Sequence, residues 1–91
     1  MKIPEYVKWI KGLRCLVTGL TPCDPHHCGP FGTAKRNHDE WLVPLHRTAH
    51  TDDICNRNRR QFREKAEVLF QCWLSIIPKK KKEEILQELK K

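Results

Sequence analysis

His26 and His27 stand side by side in Asp24-Pro-His-His27, and His46 and His50 lie four apart in Val43-Pro-Leu-His-Arg-Thr-Ala-His50. Asp24, Asp39, Glu40, Asp52 and Asp53 fall in the same third of the chain. Imidazole and carboxylate are the usual nitrogen and oxygen ligands of divalent ions, and packing gives no reason to crowd them together. On a helix, the i, i+4 spacing puts His46 and His50 on one face, able to grip a single ion. Surface histidines at a helix start are the plainer alternative. Adjacent residues on a strand point to opposite faces, so one of His26 and His27 can face a metal while its neighbour faces water or substrate. Hydrolysis of a phosphodiester needs both parts: a cation to stabilise charge on the phosphate and the leaving oxygen, and a base to activate the attacking water.

Five cysteines, at 15, 23, 28, 55 and 72, follow no regular spacing and form no pair of Cys-x-x-Cys knuckles. Cys72 falls in an apolar stripe and reads as core. Cys15, Cys23, Cys28 and Cys55 lie near the histidines and stay open as ligands.

The elements that must position these residues are short. Pro4 and the apolar Tyr6, Val7, Trp9 and Ile10 predict a helix over 4–11, ended by Gly12. Residues 13–18 read as a strand and 19–22 as a turn. A second strand is expected over about 24–28, a loop over 29–38, and a third apolar stretch over 41–45 with Pro44 near its end. Helix is expected to begin around His46. From Arg59 to Ile77 the pattern is an amphipathic helix with Phe62, Ala66, Leu69, Trp73 and Ile76 on one face, stopped by Pro78. Residues 79–91 form a lysine-rich tail, read as a short helix or disorder, behind one domain over 1–78.

At 91 residues the chain makes one modest core, which a metal would help to hold. Hydrophobic residues are 38% and charged residues 32%, too apolar for a disordered chain. There is no apolar run of membrane-spanning length and no secretory pattern at the start, so a cytoplasmic protein is expected. The net charge is +7. Residues 1–78 carry twelve basic against eight acidic side chains, so +4 remains without the tail. Such an excess suits a phosphate-backbone partner, although solvated surface explains it as well.

Two stretches carry a resemblance. Cys15-Leu-Val-Thr-Gly-Leu-Thr-Pro-Cys-Asp-Pro-His-His27 and Gly32-Thr-Ala-Lys-Arg-Asn-His-Asp-Glu-Trp-Leu-Val-Pro-Leu-His-Arg-Thr-Ala-His50 together resemble the HNH (ββα-metal) endonuclease superfamily. Within it they are most similar to the small phage and bacterial domains of the DUF968 and Ref (RecA-dependent nuclease) kind. The resemblance runs over roughly residues 6–76. It implies an α+β fold: a small ββα-metal (HNH/His-Me finger) core flanked by an N-terminal helix and one or two C-terminal helices. It also implies a DNA endonuclease in a bacterial or phage-infected cell, using one divalent ion (zinc, magnesium, manganese or nickel) and working as a monomer or homodimer.

Carried over by position, His26 matches a metal ligand, His27 the general base, Asp39 the residue that braces the site or the base, and His50 the first metal ligand after the second strand. His46 and Asp53 are further ligand candidates. Lys35 and Arg36 in the loop, and Arg57 and Arg60 at the helix start, are expected to meet nucleic-acid backbone, with solvated surface as the equal alternative. The sequence departs from the pattern in three places. Thr18 replaces the second cysteine of a knuckle begun by Cys15, which puts a structural zinc in doubt. His46 replaces the cysteine after Pro-Leu. The last helical ligand, expected four residues beyond His50, falls on Ile54, which cannot coordinate; Asp53 or Cys55 would substitute after a small register change. Two readings stand beside the enzyme: a catalytically inactive module that binds nucleic acid or protein, and a zinc-stapled structural protein closed by Cys23 and Cys28 with histidines.

Overall fold

Proline at the first position and Glu5 in the first turn suit a helix start, and Lys8 and Lys11 in the last turn suit its end. The result is α1, Pro4–Lys11, which buries Tyr6 and Ile10 one turn apart. The computed structural model describes residues 2–28 and 38–90. Among these residues the fold is α+β, with α1, β1 (Asp24–His27), β2 (Leu42–Leu45), α2 (Asp52–Arg57), α3 (Arg59–Ile76) and α4 (Lys79–Leu89) in chain order. A 3-10 turn, Asp39–Trp41, leads directly into β2.

The strand expected over 13–18 does not form. The Cys15 amide donates to Leu20 O and the Gly19 amide to Cys15 O, closing the segment on itself as a turn. Gly19 has φ of 72°, where a side chain would be strained.

β1 and β2 pair antiparallel with His26 opposite Val43, His27 opposite Leu42 and Pro25 opposite Pro44. Proline has no N–H, so two prolines can face each other only at a pair that exchanges no ladder hydrogen bonds. The Pro44 carbonyl accordingly points away from β1 and accepts the Leu16 amide. All four residues of β2 are buried, and the period of two divides them. Leu42 joins Ile3, Tyr6, Ile10, Phe70, Trp73, Leu74 and Ile85 in one cluster. Val43 and Leu45 join Phe62, Ala66, Ala49 and Cys15, Cys23 and Cys28 in the other. Burying each of the larger aliphatic side chains contributes about 1.5–3 kcal/mol, so β2 is the seam of the core.

Helix does not begin at His46. The amides of Ala49 and His50 both donate to His46 O, which makes a single turn. The helix starts at Asp52, behind Thr51, whose hydroxyl accepts the Ile54 amide while Asp52 and Asp53 occupy the first turn. α2 ends at Asn58, and α3 buries Phe62, Ala66, Phe70, Trp73 and Leu74. Ile76, expected on that face, is 64% exposed, because the 62-66-70-74 ladder centres the stripe away from it. Of the two alternatives for the tail, the structure has the helix: α4 buries Ile85 in the first cluster, and Lys81 Nζ lies 2.7 Å from Glu5 Oε1 on α1. No described helix is long and apolar enough to cross a membrane.

Candidate metal centre

β1 turns its two histidines to different neighbours, as the strand period requires. His26 faces α2 and the start of α3, with its ring 5.0 Å from that of His50 and 6.2 Å from that of Phe62. His26 Nδ1 lies 3.1 Å from His50 Nε2 and 3.9 Å from Cys55 Sγ. The three ligand atoms all fall within 4.8 Å of one another. A tetrahedral ion with metal–nitrogen bonds of about 2.05 Å and a metal–sulfur bond of about 2.3 Å separates N from N by about 3.3 Å and N from S by about 3.6 Å. The side chains stand close to that spacing, so the residues present fit a divalent ion, and three ligands leave a fourth position for water or substrate.

The electrostatics agree. Burial, followed by the charges of His50 and His27, holds the His26 imidazolium down at about 4, so its ring is neutral and free to ligate. Burial, with Asp52 adding to it, raises the Cys55 thiol. Cys55 is therefore protonated until an ion displaces the proton. Asp24 Oδ2 lies 3.9 Å from His50 Nδ1, beside the ring nitrogen that does not face the group.

His27 faces the other way. Its Nε2 lies 3.0 Å from Asp39 Oδ1, and Asp39 Oδ2 accepts the Ile3 amide at 2.7 Å. Asp39 is the one buried charged residue among those described, at 7% exposure, while the His27 side chain is 38% exposed. An ionised carboxylate only accepts, so Nε2 carries the proton and Nδ1 keeps its lone pair. A partly exposed imidazole, held in one tautomer by a buried carboxylate, is the arrangement of a general base.

The remaining candidates stand elsewhere. His46 Nδ1 turns to the Thr48 hydroxyl at 2.9 Å and is outside the group. Without a helix from 46 to 50, the i, i+4 face that would have joined His46 to His50 does not exist. Asp53 is also outside it, since its Oδ1 accepts from Arg57 Nε at 3.1 Å along α2. Arg60 pairs with Glu64 at 3.6 Å, so both arginines are exposed and carry local partners. Lys35 and Arg36 lie outside the described residues. Where a ligand was expected at Ile54, the side chain that stands with His26 and His50 is Cys55, one residue later. Thr51 followed by Asp52 and Asp53 is the helix-start signal that could have given this register. Nothing local marked the Ile3 amide as the partner of Asp39.

Cys23 and Cys28 serve packing. Burial raises the Cys28 thiol to about 12, and its Sγ donates to Trp41 O and Phe62 O. Cys23 Sγ donates to Leu20 O. Neither belongs to the His26, His50 and Cys55 group. Cys15 differs. Burial pushes its thiol up, but hydrogen bonds from the Thr18 side chain and from the His46, Thr18 and Val17 backbone outweigh that and bring it to about 7. Cys72 is exposed rather than core, because its position on α3 lies off the buried stripe.

No curated protein and no solved structure matches the chain. A family model described as "Protein of unknown function (DUF968)" matches residues 1–86. With nearly its whole length inside that match, the chain belongs to the DUF968 family.

Proposed function

We propose that this chain is a metal-dependent DNA endonuclease of the HNH type. The observation that carries the reading is the divergence of His26 and His27, which gives one strand both a metal ligand and a braced base. When bound, the ion supplies positive charge to a phosphate oxygen and to the leaving oxygen. His27 takes a proton from water at Nδ1 as the water oxygen bonds to phosphorus. The phosphorus bond to the leaving oxygen then breaks, and that oxygen takes a proton from solvent. Asp39 holds the ring by Nε2–H and stabilises the imidazolium that forms, while the Ile3 amide keeps the carboxylate in place.

Cys55 narrows the ion. A thiolate with two imidazoles favours zinc, cobalt or nickel over magnesium or manganese. DNA as the substrate rests on the net charge of +7. The test is supercoiled plasmid incubated with zinc, cobalt, nickel, manganese or magnesium. Nicking that depends on metal and disappears in His27→Ala supports the assignment. Metal binding without cleavage would move it to a catalytically inactive binding module.

A further inference from the structure

Lys79, Lys80, Lys81 and Lys82 open α4, with no acidic residue in its first turn. Cations at the amino end of a helix oppose its dipole, so the run does not serve helix stability. Lys81 has a structural partner in Glu5. Among the described residues no ion pair engages Lys79, Lys80 or Lys82. Ile85 is 5% exposed within the core, so these charges sit on a docked helix and not on a loose tail.

We propose that this lysine cluster is a second contact for a nucleic-acid phosphate backbone, anchoring the duplex at a distance from the metal centre. The choice of partner rests on the nuclease reading above and on charge. An anionic membrane fits less well, because Ile85, Leu86 and Leu89, the apolar side of α4, are already packed against the protein. The spacing follows from α3, which has His26 beside Phe62 near its start and α4 directly beyond its end. Its 18 residues span roughly 27 Å at about 1.5 Å each. At 3.4 Å per base pair that is about 8 base pairs. A duplex shorter than this reaches one end only.

The experiment compares the wild-type chain with a Lys79→Gln, Lys80→Gln, Lys82→Gln variant, Lys81 being kept for its ion pair. Binding of labelled DNA duplexes of about 24 and about 6 base pairs is measured by fluorescence anisotropy in chelator, between 50 and 200 mM salt. For the long duplex the variant is expected to bind at least tenfold more weakly at low salt, with a log–log salt slope shallower by about two to three. Binding of the short duplex is expected to change less than threefold. Equal affinity and slope for the two proteins on the long duplex would overturn the proposal. So would equal losses on both duplexes, or tighter wild-type binding to phosphatidylserine vesicles than to DNA. Because no cleavage is read, the result stands apart from that of the plasmid assay: this contact can hold where nicking fails, and the reverse.

Discussion

His26 and His27 are neighbours on β1 yet belong to separate networks: His26 Nδ1 lies 3.1 Å from His50 Nε2, and His27 Nε2 lies 3.0 Å from Asp39 Oδ1. A single residue step exchanges an imidazole in the His26, His50 and Cys55 group for a carboxylate-held one. Each side of that divide gives its own expectation.

On the base side, His27→Ala is expected to lower the rate of plasmid nicking by about 10²–10⁴-fold while leaving metal affinity within a few fold. Asp39→Asn keeps the shape but loses the charge-assisted acceptor for Ile3 and His27. Its nicking is expected to fall, and its unfolding free energy in urea to drop by about 1–3 kcal/mol. Unchanged nicking in His27→Ala would remove His27 from the chemistry, and unchanged nicking in Asp39→Asn would remove Asp39 as its brace.

On the metal side, cobalt bound to the wild-type chain is expected to show a near-ultraviolet sulfur-to-metal charge-transfer band. Cys55→Ser should abolish it and weaken zinc binding, and His50→Ala should weaken zinc binding as well. Because burial raises the Cys55 thiol and binding displaces its proton, zinc affinity should climb with pH across the neutral range. Magnesium binding as tight as zinc, read by calorimetry, would exclude thiolate ligation.

His26 sets a pH dependence in the metal-free protein. Its imidazole titrates near 4 when folded and near 6.5 when unfolded, so between those values the unfolded chain binds the extra proton. Stability in chelator is therefore expected to decline as pH falls from about 6.5 towards 4. His26→Gln should flatten that decline. A curve of the same steepness in the variant would assign it to other groups.

Tyr6 is fully buried, its hydroxyl has no hydrogen-bond partner among the described residues, and burial pushes its pKa well up, so the phenol stays un-ionised. The ring packs with Phe70 and Trp73 at 5.3 and 5.0 Å between centroids, so the apolar part does the stabilising. Tyr6→Phe is expected to leave stability unchanged or raise it by up to about 1–2 kcal/mol. A loss above 1 kcal/mol in thermal unfolding would mean that the hydroxyl is satisfied in solution.

Ile85→Ala tests whether α4 belongs to the cooperative unit. Deleting a buried aliphatic side chain costs about 2–5 kcal/mol, whereas the same change on a frayed tail costs under about 0.5. Urea unfolding followed by tryptophan fluorescence distinguishes the two, since Ile85 packs in the same cluster as Trp73.

The parts governed by local pattern were legible in the chain. Pro4 and Gly12 bracket α1, the spacing of Phe62, Ala66 and Trp73 gives α3, and the histidine doublet needs only the strand period to separate its two rings. Cys72 and Ile76 were misread because both sit beside the apolar stripe, where periodicity alone cannot say which flank is covered.

What only tertiary structure decided was convergence. Asp39 reaches the Ile3 amide across 36 positions, and Cys55 approaches His26 across 29. Contacts so distant leave no trace in neighbouring residues. They arise when β2 is buried on both faces and brings α1 and α3 against the same strand. The start of α2 shows the division most sharply. Thr51 caps the helix, the turn before it releases His46 to Thr48, and the later register puts a sulfur where Ile54 was expected to leave a gap. The chain alone carries the ligand types and the period that separates them. Which of them meet depends on where each helix begins and what it packs against, and burial of the core decides that for the whole molecule at once.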